Sequence, residues 1–107
     1  MANAPKYPLE EIKRLLKNPD TRIIRRRDRA VAAGLGYPDD DSMAARILHV
    51  TSDEFYKTME ADDPVRFPDL WQDVYKSEES DGTKLYIKLQ ISSGSGVLIT
   101  FKRDTSR

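Results

Sequence analysis

Apolar residues fall in two different rhythms along this chain, and the change between them predicts the architecture. In Lys84-Leu85-Tyr86-Ile87-Lys88-Leu89-Gln90-Ile91 every second residue is aliphatic, the period of a strand with one buried face. The same alternation predicts strands over 70–76, 84–92 and 96–103, separated by the turn sequences Ser80-Asp81-Gly82 and Ser92-Ser93-Gly94-Ser95-Gly96. Upstream the spacing is helical. Leu9, Ile12, Leu15 and Leu16 form one stripe over 8–17, with Pro8 suited to the first turn and Asn18-Pro19-Asp20 ending it. A short, charge-flanked edge strand is expected at 21–25 and a helix over 28–35, stopped by Gly34, Gly36 and Pro38. A third helix, 42–49, is capped from the aspartates 39–41. Thr51-Ser52-Asp53-Glu54 has the capping-box form, so a fourth helix is expected from Ser52, with Phe55 and Met59 as its buried stripe. These elements predict one α+β domain over 1–107, an antiparallel C-terminal meander with N-terminal helices packed on one face.

Alternation also sorts side chains by face. Leu85, Ile87, Leu89 and Ile91 point one way, and Val97, Ile99 and Phe101 share a face on the next strand. The other face can present Gln72, Tyr86, Lys88, Gln90, Thr100 and Lys102, with no acid among them. Such a face serves either as the ordinary wet side of an antiparallel sheet or as a nucleic-acid surface, and the pattern leaves both open.

Composition narrows the chemistry. The absence of cysteine rules out disulfides and thiolate metal sites, and a single histidine, His49, argues against a protein-only transition-metal centre. No apolar run is long enough to cross a bilayer and no signal-peptide core stands at the N-terminus, so a cytoplasmic location and no membrane partner are expected. Net charge is zero but unevenly spread. Residues 1–29 carry nine Lys/Arg against four Asp/Glu, 30–82 carry four against thirteen, and 83–107 carry five against one. Two basic ends that met in space would attract phosphate. The run Arg25-Arg26-Arg27-Asp28-Arg29 is open to three readings: an RNA contact, a contact with an acidic protein partner, or a solvated helix start.

Four consecutive segments resemble the MqsR family of toxins. Ser52-Asp53-Glu54-Phe55-Tyr56-Lys57-Thr58-Met59 is similar to that family's S-x-x-D/E-F-Y-K-S/T-M segment, and Trp71-Gln72-Asp73-Val74-Tyr75 to its W-Q-D-V-Y strand. Leu85-Tyr86-Ile87-Lys88-Leu89 and Val97-Leu98-Ile99-Thr100-Phe101-Lys102 follow in the same order. The stretches 62–69 and 92–96 are longer than in the family pattern, so no cleavage-sequence preference carries over. The resemblance implies a RelE-like fold and a type II toxin: an endoribonuclease that cuts mRNA without metal or cofactor and so arrests translation and growth. It implies a cognate antitoxin, of DNA-binding helix-turn-helix type, through which alone operator DNA is reached. The alternative is a catalytically inactive RNA-binding or protein-interaction module of the same fold.

By the same resemblance Lys57, Gln72 and Tyr86 are the catalytic candidates and Lys102 is implicated beside them; Lys102, with its basic neighbours Lys88 and Arg103, would grip the RNA backbone. Metal-free cleavage uses the 2′-hydroxyl as internal nucleophile, and leaves a 2′,3′-cyclic phosphate and a 5′-hydroxyl. With no histidine placed to shuttle protons, lysine and tyrosine must do so, both with reference pKa values near 10, and a base would need a value lowered by neighbouring lysines. Lys57, read as a mid-helix residue, and Tyr86, read as a cross-strand packer, also have purely structural interpretations. His49 is read as a helix-end residue and Trp71 as core.

Overall fold

The computed structural model describes residues 4–61, 65 and 70–105, so most of the long stretch 62–69, with its two prolines, lies outside the described residues. Three helices come first: α1 (Leu9–Lys17), α2 (Arg26–Gly34) and α3 (Asp40–Ile47), with the short strand β1 (Arg22–Ile24) between α1 and α2. Four strands follow: β2 (Phe55–Glu60), β3 (Trp71–Glu78), β4 (Lys84–Ser92) and β5 (Ser95–Arg103). They form one five-stranded sheet in the order β1-β5-β4-β3-β2. The expected α+β class and the C-terminal meander are therefore present. The sheet is mixed rather than antiparallel throughout, because β1 runs parallel to β5.

The predicted fourth helix does not form. Thr51 and Glu54 do make the reciprocal capping contacts, with the Thr51 backbone N–H donating to Glu54 Oε1 at 2.9 Å, but a single 3₁₀ turn, Ser52–Glu54, follows them. Phe55–Glu60 then extends as an edge strand on β3. The aromatic and β-branched residues of Phe55-Tyr56-Lys57-Thr58 suit a pleated surface, and pairing with β3 outweighs the local start signal. Lys57 is thus a strand residue. The four-residue spacing of Phe55 and Met59 is also misleading: a register shift at Tyr56 turns Phe55 to the helix side, paired with Tyr75, and Met59 to the other side, paired with Gln72.

A second register shift corrects β5. Lys88 pairs with Thr100 but Leu89 with Leu98, leaving Ile99 as the extra residue of a β-bulge. Leu98 therefore joins Phe101 in the core, while Val97, expected on the core side, pairs with Gln90 on the opposite face. The core consists of Leu85, Ile87, Leu89, Leu98 and Phe101 under Ile12, Leu16, Met43 and Ile47. Helix α1 crosses β5 at Gly96, where an added Cβ would meet Leu15 Cβ at 2.9 Å and the Ile12 carbonyl oxygen at 3.3 Å. Only glycine lets the helix approach so closely.

Fully buried Asp73 ties the chain start to β3. Its carboxylate accepts the backbone N–H groups of Lys6 and Tyr7, each at 2.9 Å, and the Tyr7 hydroxyl donates to the Trp71 carbonyl at 3.0 Å. At the other end of β3, Arg46 of α3 donates to Ser77 Oγ at 2.6 Å and pairs with Glu79 at 3.1 Å, while Ser77 donates to Glu54 Oε2 at 2.8 Å. Both ends of the strand are thereby fixed.

Two stability outcomes follow. Asp73→Ala removes a charged acceptor from two backbone donors and is expected to cost about 2–4 kcal/mol in denaturant unfolding, with Asp73→Asn costing less. Gly96→Val should cost roughly 1–3 kcal/mol by forcing α1 off the sheet. Unchanged midpoints would contradict these roles.

Candidate nucleic-acid interface

On the sheet face away from the core, strand pairing lines up side chains in rows across the sheet. Lys76 on β3 pairs with Tyr86 on β4, which pairs with Lys102 on β5. One step along the strands, Lys57 on β2, Val74 on β3, Lys88 on β4 and Thr100 on β5 form a second row. Successive rows on one face are about 7 Å apart and adjacent strands about 4.8 Å. Lys57 and Tyr86 thus lie two strands and one row apart, within reach of a common phosphodiester for two long side chains. Four lysines and one tyrosine occupy these two rows.

Aromatic rings separate the cations. Lys76 Nζ stands 4.0 Å from the centroid of Tyr56, and Lys57 Nζ is 5.6 Å from the same ring. Lys102 Nζ is 5.3 Å from the centroid of Tyr86. Cation–π contacts of this kind are individually small but hold the ammonium groups in place. The bulge turns Tyr56 outward, 50% exposed, beside Lys57 and Lys76, as a flat surface against which a base can stack. The sequence reading misses Tyr56 because its segment is read as a helix; Lys76 alternates with Gln72 and Val74 up to the end of the predicted strand 70–76, and so shares their face, without being among the candidates.

The structure places the predicted residues unequally. Lys57, Tyr86, Lys88 and Lys102 share the open face. Gln72 lies on that face by register but is only 4% exposed, and its Oε1 is buried without a hydrogen-bond partner. Gln90 is similarly buried. The expectation that both are presented to solvent is therefore corrected: the accessible part of the face is its lysine-rich half. Arg103 is brought elsewhere. It pairs with core residue Leu85, on the helix side, and lines a different cleft with Tyr37, Glu79 and Asp81. His49 sits exposed just past α3, apart from these rows.

The two basic ends of the chain do meet. Strand β1 stops level with Leu98, and α2 continues along the same edge of β5, so that Arg27, Asp28 and Val31 line a cleft with Lys88, Thr100 and Lys102. Among the described residues no three metal-ligating side chains cluster, and no helix is long and apolar enough to cross a membrane.

Electrostatics around Tyr86 favour the neutral phenol. Burial pushes its pKa up, Lys76 pulls it down, and Tyr56 and Asp104 push it up again, leaving it raised. Asp104 is ion-paired to Lys76 at 3.4 Å, which explains its presence beside the ring. The lysines thus do not lower this tyrosine into the range of a base. Asp28 is also raised, chiefly by burial, against the opposing pull of Arg25, Arg27 and the Phe101 backbone N–H.

Among known protein families, the model described as motility quorum-sensing regulator, toxin of MqsA, matches residues 4–103. No curated protein matches the chain.

The charges around Tyr86 give a titration signature. Its ring should ionise above the ordinary tyrosine value of 10.0, and Lys76→Met should move the midpoint higher still, because the charge opposing the upward shift is removed. Ring-labelled NMR across the alkaline range reads this directly; a midpoint at or below the ordinary value would contradict the arrangement.

Proposed function

Because the chain belongs to the MqsR toxin family, and so is a toxin of a toxin–antitoxin system with a cognate antitoxin as partner, we propose that it acts by cutting mRNA on the lysine-rich half of its open sheet face. The observation that carries this reading is the row Lys76–Tyr86–Lys102, a half-buried phenol between two cations on adjacent strands. Cleavage needs no metal, because the 2′-hydroxyl beside the scissile phosphate is the nucleophile.

In this mechanism Tyr86, a phenol at neutral pH, gives its proton to the departing 5′ oxygen. Lys57, across β3 from it, takes the 2′-hydroxyl proton in its amine form. The new 2′-oxygen–phosphorus bond closes a 2′,3′-cyclic phosphate as the bond to the 5′ oxygen breaks. Lys76, Lys88 and Lys102 hold the charge that builds on the phosphate, and preorganised cations are most effective where charge develops. Tyr56 stacks a flanking base. Gln72, buried beside Met59, is left out of the reacting set. The antitoxin, taken as a DNA-binding helix-turn-helix protein, is the route by which the pair reaches operator DNA.

Purified protein incubated with an mRNA in EDTA should yield discrete fragments with 5′-hydroxyl ends. Tyr86→Phe should slow this cleavage about 100-fold or more, the usual worth of a positioned proton donor, and Lys57→Ala by a comparable factor. Both should abolish growth arrest on induction while the far-UV spectrum stays unchanged. RNA binding without cleavage by the parent protein would instead indicate an inactive module, and full toxicity of both variants would refute the assigned roles.

A further inference from the structure

The cleft between α2 and the outer rows of β4 and β5 has a volume of 360 Å³, near the lower end of the roughly 300–1,000 Å³ typical of small-ligand clefts. That is room for one nucleotide unit rather than a longer segment. Its lining is mixed in the way a nucleotide requires. Arg27, Lys88 and Lys102 supply cations, Thr100 a hydroxyl, and Val31, 45% exposed, an apolar wall. Arginine, lysine and threonine are the usual phosphate partners, whereas bases and riboses accept apolar contact. Lys102 belongs both to this cleft and to the row containing Tyr86, so the two are continuous. Beneath them Asp28 is 5% exposed, with Oδ2 buried and unpartnered, an acidic group under a cationic rim.

We propose that this cleft is a one-nucleotide subsite for the RNA strand next to the reacting phosphodiester, with Arg27 and Lys102 on its phosphate and Val31 against its base or ribose. The proposal rests on the RNA reading above and extends the binding surface from the sheet onto α2. It gives Arg27, alone in the basic run 25–29, a direct contact. Asp28 limits the grip, since its carboxylate offsets part of the cationic field felt by the incoming phosphate, and a product must leave as well as a substrate enter. An acidic protein segment fits less well, because the cleft has the volume of one unit and shares Lys102 with the Tyr86 row.

The test uses the full chain carrying Tyr86→Phe, so that RNA stays intact, and a fluorescent mixed-sequence single-stranded RNA at several salt concentrations. Adding Arg27→Ala should weaken binding about 3- to 10-fold and reduce the salt slope by about 0.7, the value for one phosphate contact on a single strand. Val31→Glu, at a half-exposed position, should weaken binding similarly, and Asp28→Asn should tighten it. Arg14→Ala, on the exposed side of α1 and paired with Glu11, serves as the control and should change nothing. Affinity and slope unchanged in both the Arg27 and Val31 variants would overturn the subsite while leaving the sheet-face reading intact. Absence of RNA binding by the parent would overturn both.

Discussion

Burial of Leu85, Ile87 and Leu89 beneath the helices is the constraint from which the site follows. A strand of period two cannot put three alternate residues into the core without presenting the two between them to the other side. Tyr86 and Lys88 reach the open face because their neighbours are turned into the core. Pairing then propagates this parity outward: Tyr86 selects Lys76 on one flank and Lys102 on the other, and Lys88 selects Val74 and Thr100. A slip of one residue in β4 would bury the phenol and expose the aliphatics, at a cost on the order of 1.5–3 kcal/mol for each large side chain moved. The chemistry of the open face is held in register by the packing of the covered one.

Where alternation ran unbroken, the fold and the face that carries the candidate residues were legible in the chain. The bounds of β4 and the outward positions of Tyr86, Lys88 and Lys102 could be read from the aliphatic spacing alone. Bulges defeated the same logic. One extra residue at Ile99 exchanged Leu98 for Val97 in the core, and one at Tyr56 put Phe55 and Met59 on opposite faces. A bulge leaves no periodic trace, because it is the period that it interrupts. The missing helix at 52–59 has a related cause. A capping box satisfies the first donors of any helical turn, including a single 3₁₀ turn, and does not say how far the turn continues. Burial of Gln72 was illegible for another reason: side-chain parity assigns a face but not what covers it. The meeting of α2 with Lys88 and Lys102 was foreseeable only as a possibility of charge, since it depends on the parallel pairing of β1 with β5.

Assembling these cations has a cost in the free protein. Two lysines one row apart, about 7 Å, repel each other by roughly 0.6 kcal/mol in water and 2.4 kcal/mol at an effective dielectric of 20. Asp104 offsets part of this at Lys76, the rings of Tyr56 and Tyr86 absorb some at Lys57, Lys76 and Lys102, and Asp28 acts beneath the α2 cleft. The remaining repulsion is relieved by an anion. A polyanion bound here therefore stabilises the fold by mass action as well as being held by it. Zero net charge conceals this polarity, because thirteen of the eighteen acidic residues fall in the middle of the chain, within residues 30–82.

An open sheet face and a raised phenol also set the character of the proposed chemistry. Water reaches the lysines freely, so each electrostatic contact is worth less than in a closed pocket, and stabilisation must come from several cations acting together. A phenol above its ordinary pKa is a weaker acid than a histidine would be at neutral pH, and no histidine stands among the rows to take its place. Both features favour a slow reaction on an easily entered surface. Under the proposed function, entry of a long RNA matters more than the speed of each cut. A flat, cationic, aromatic-studded sheet admits such a strand where a deep cavity would exclude it.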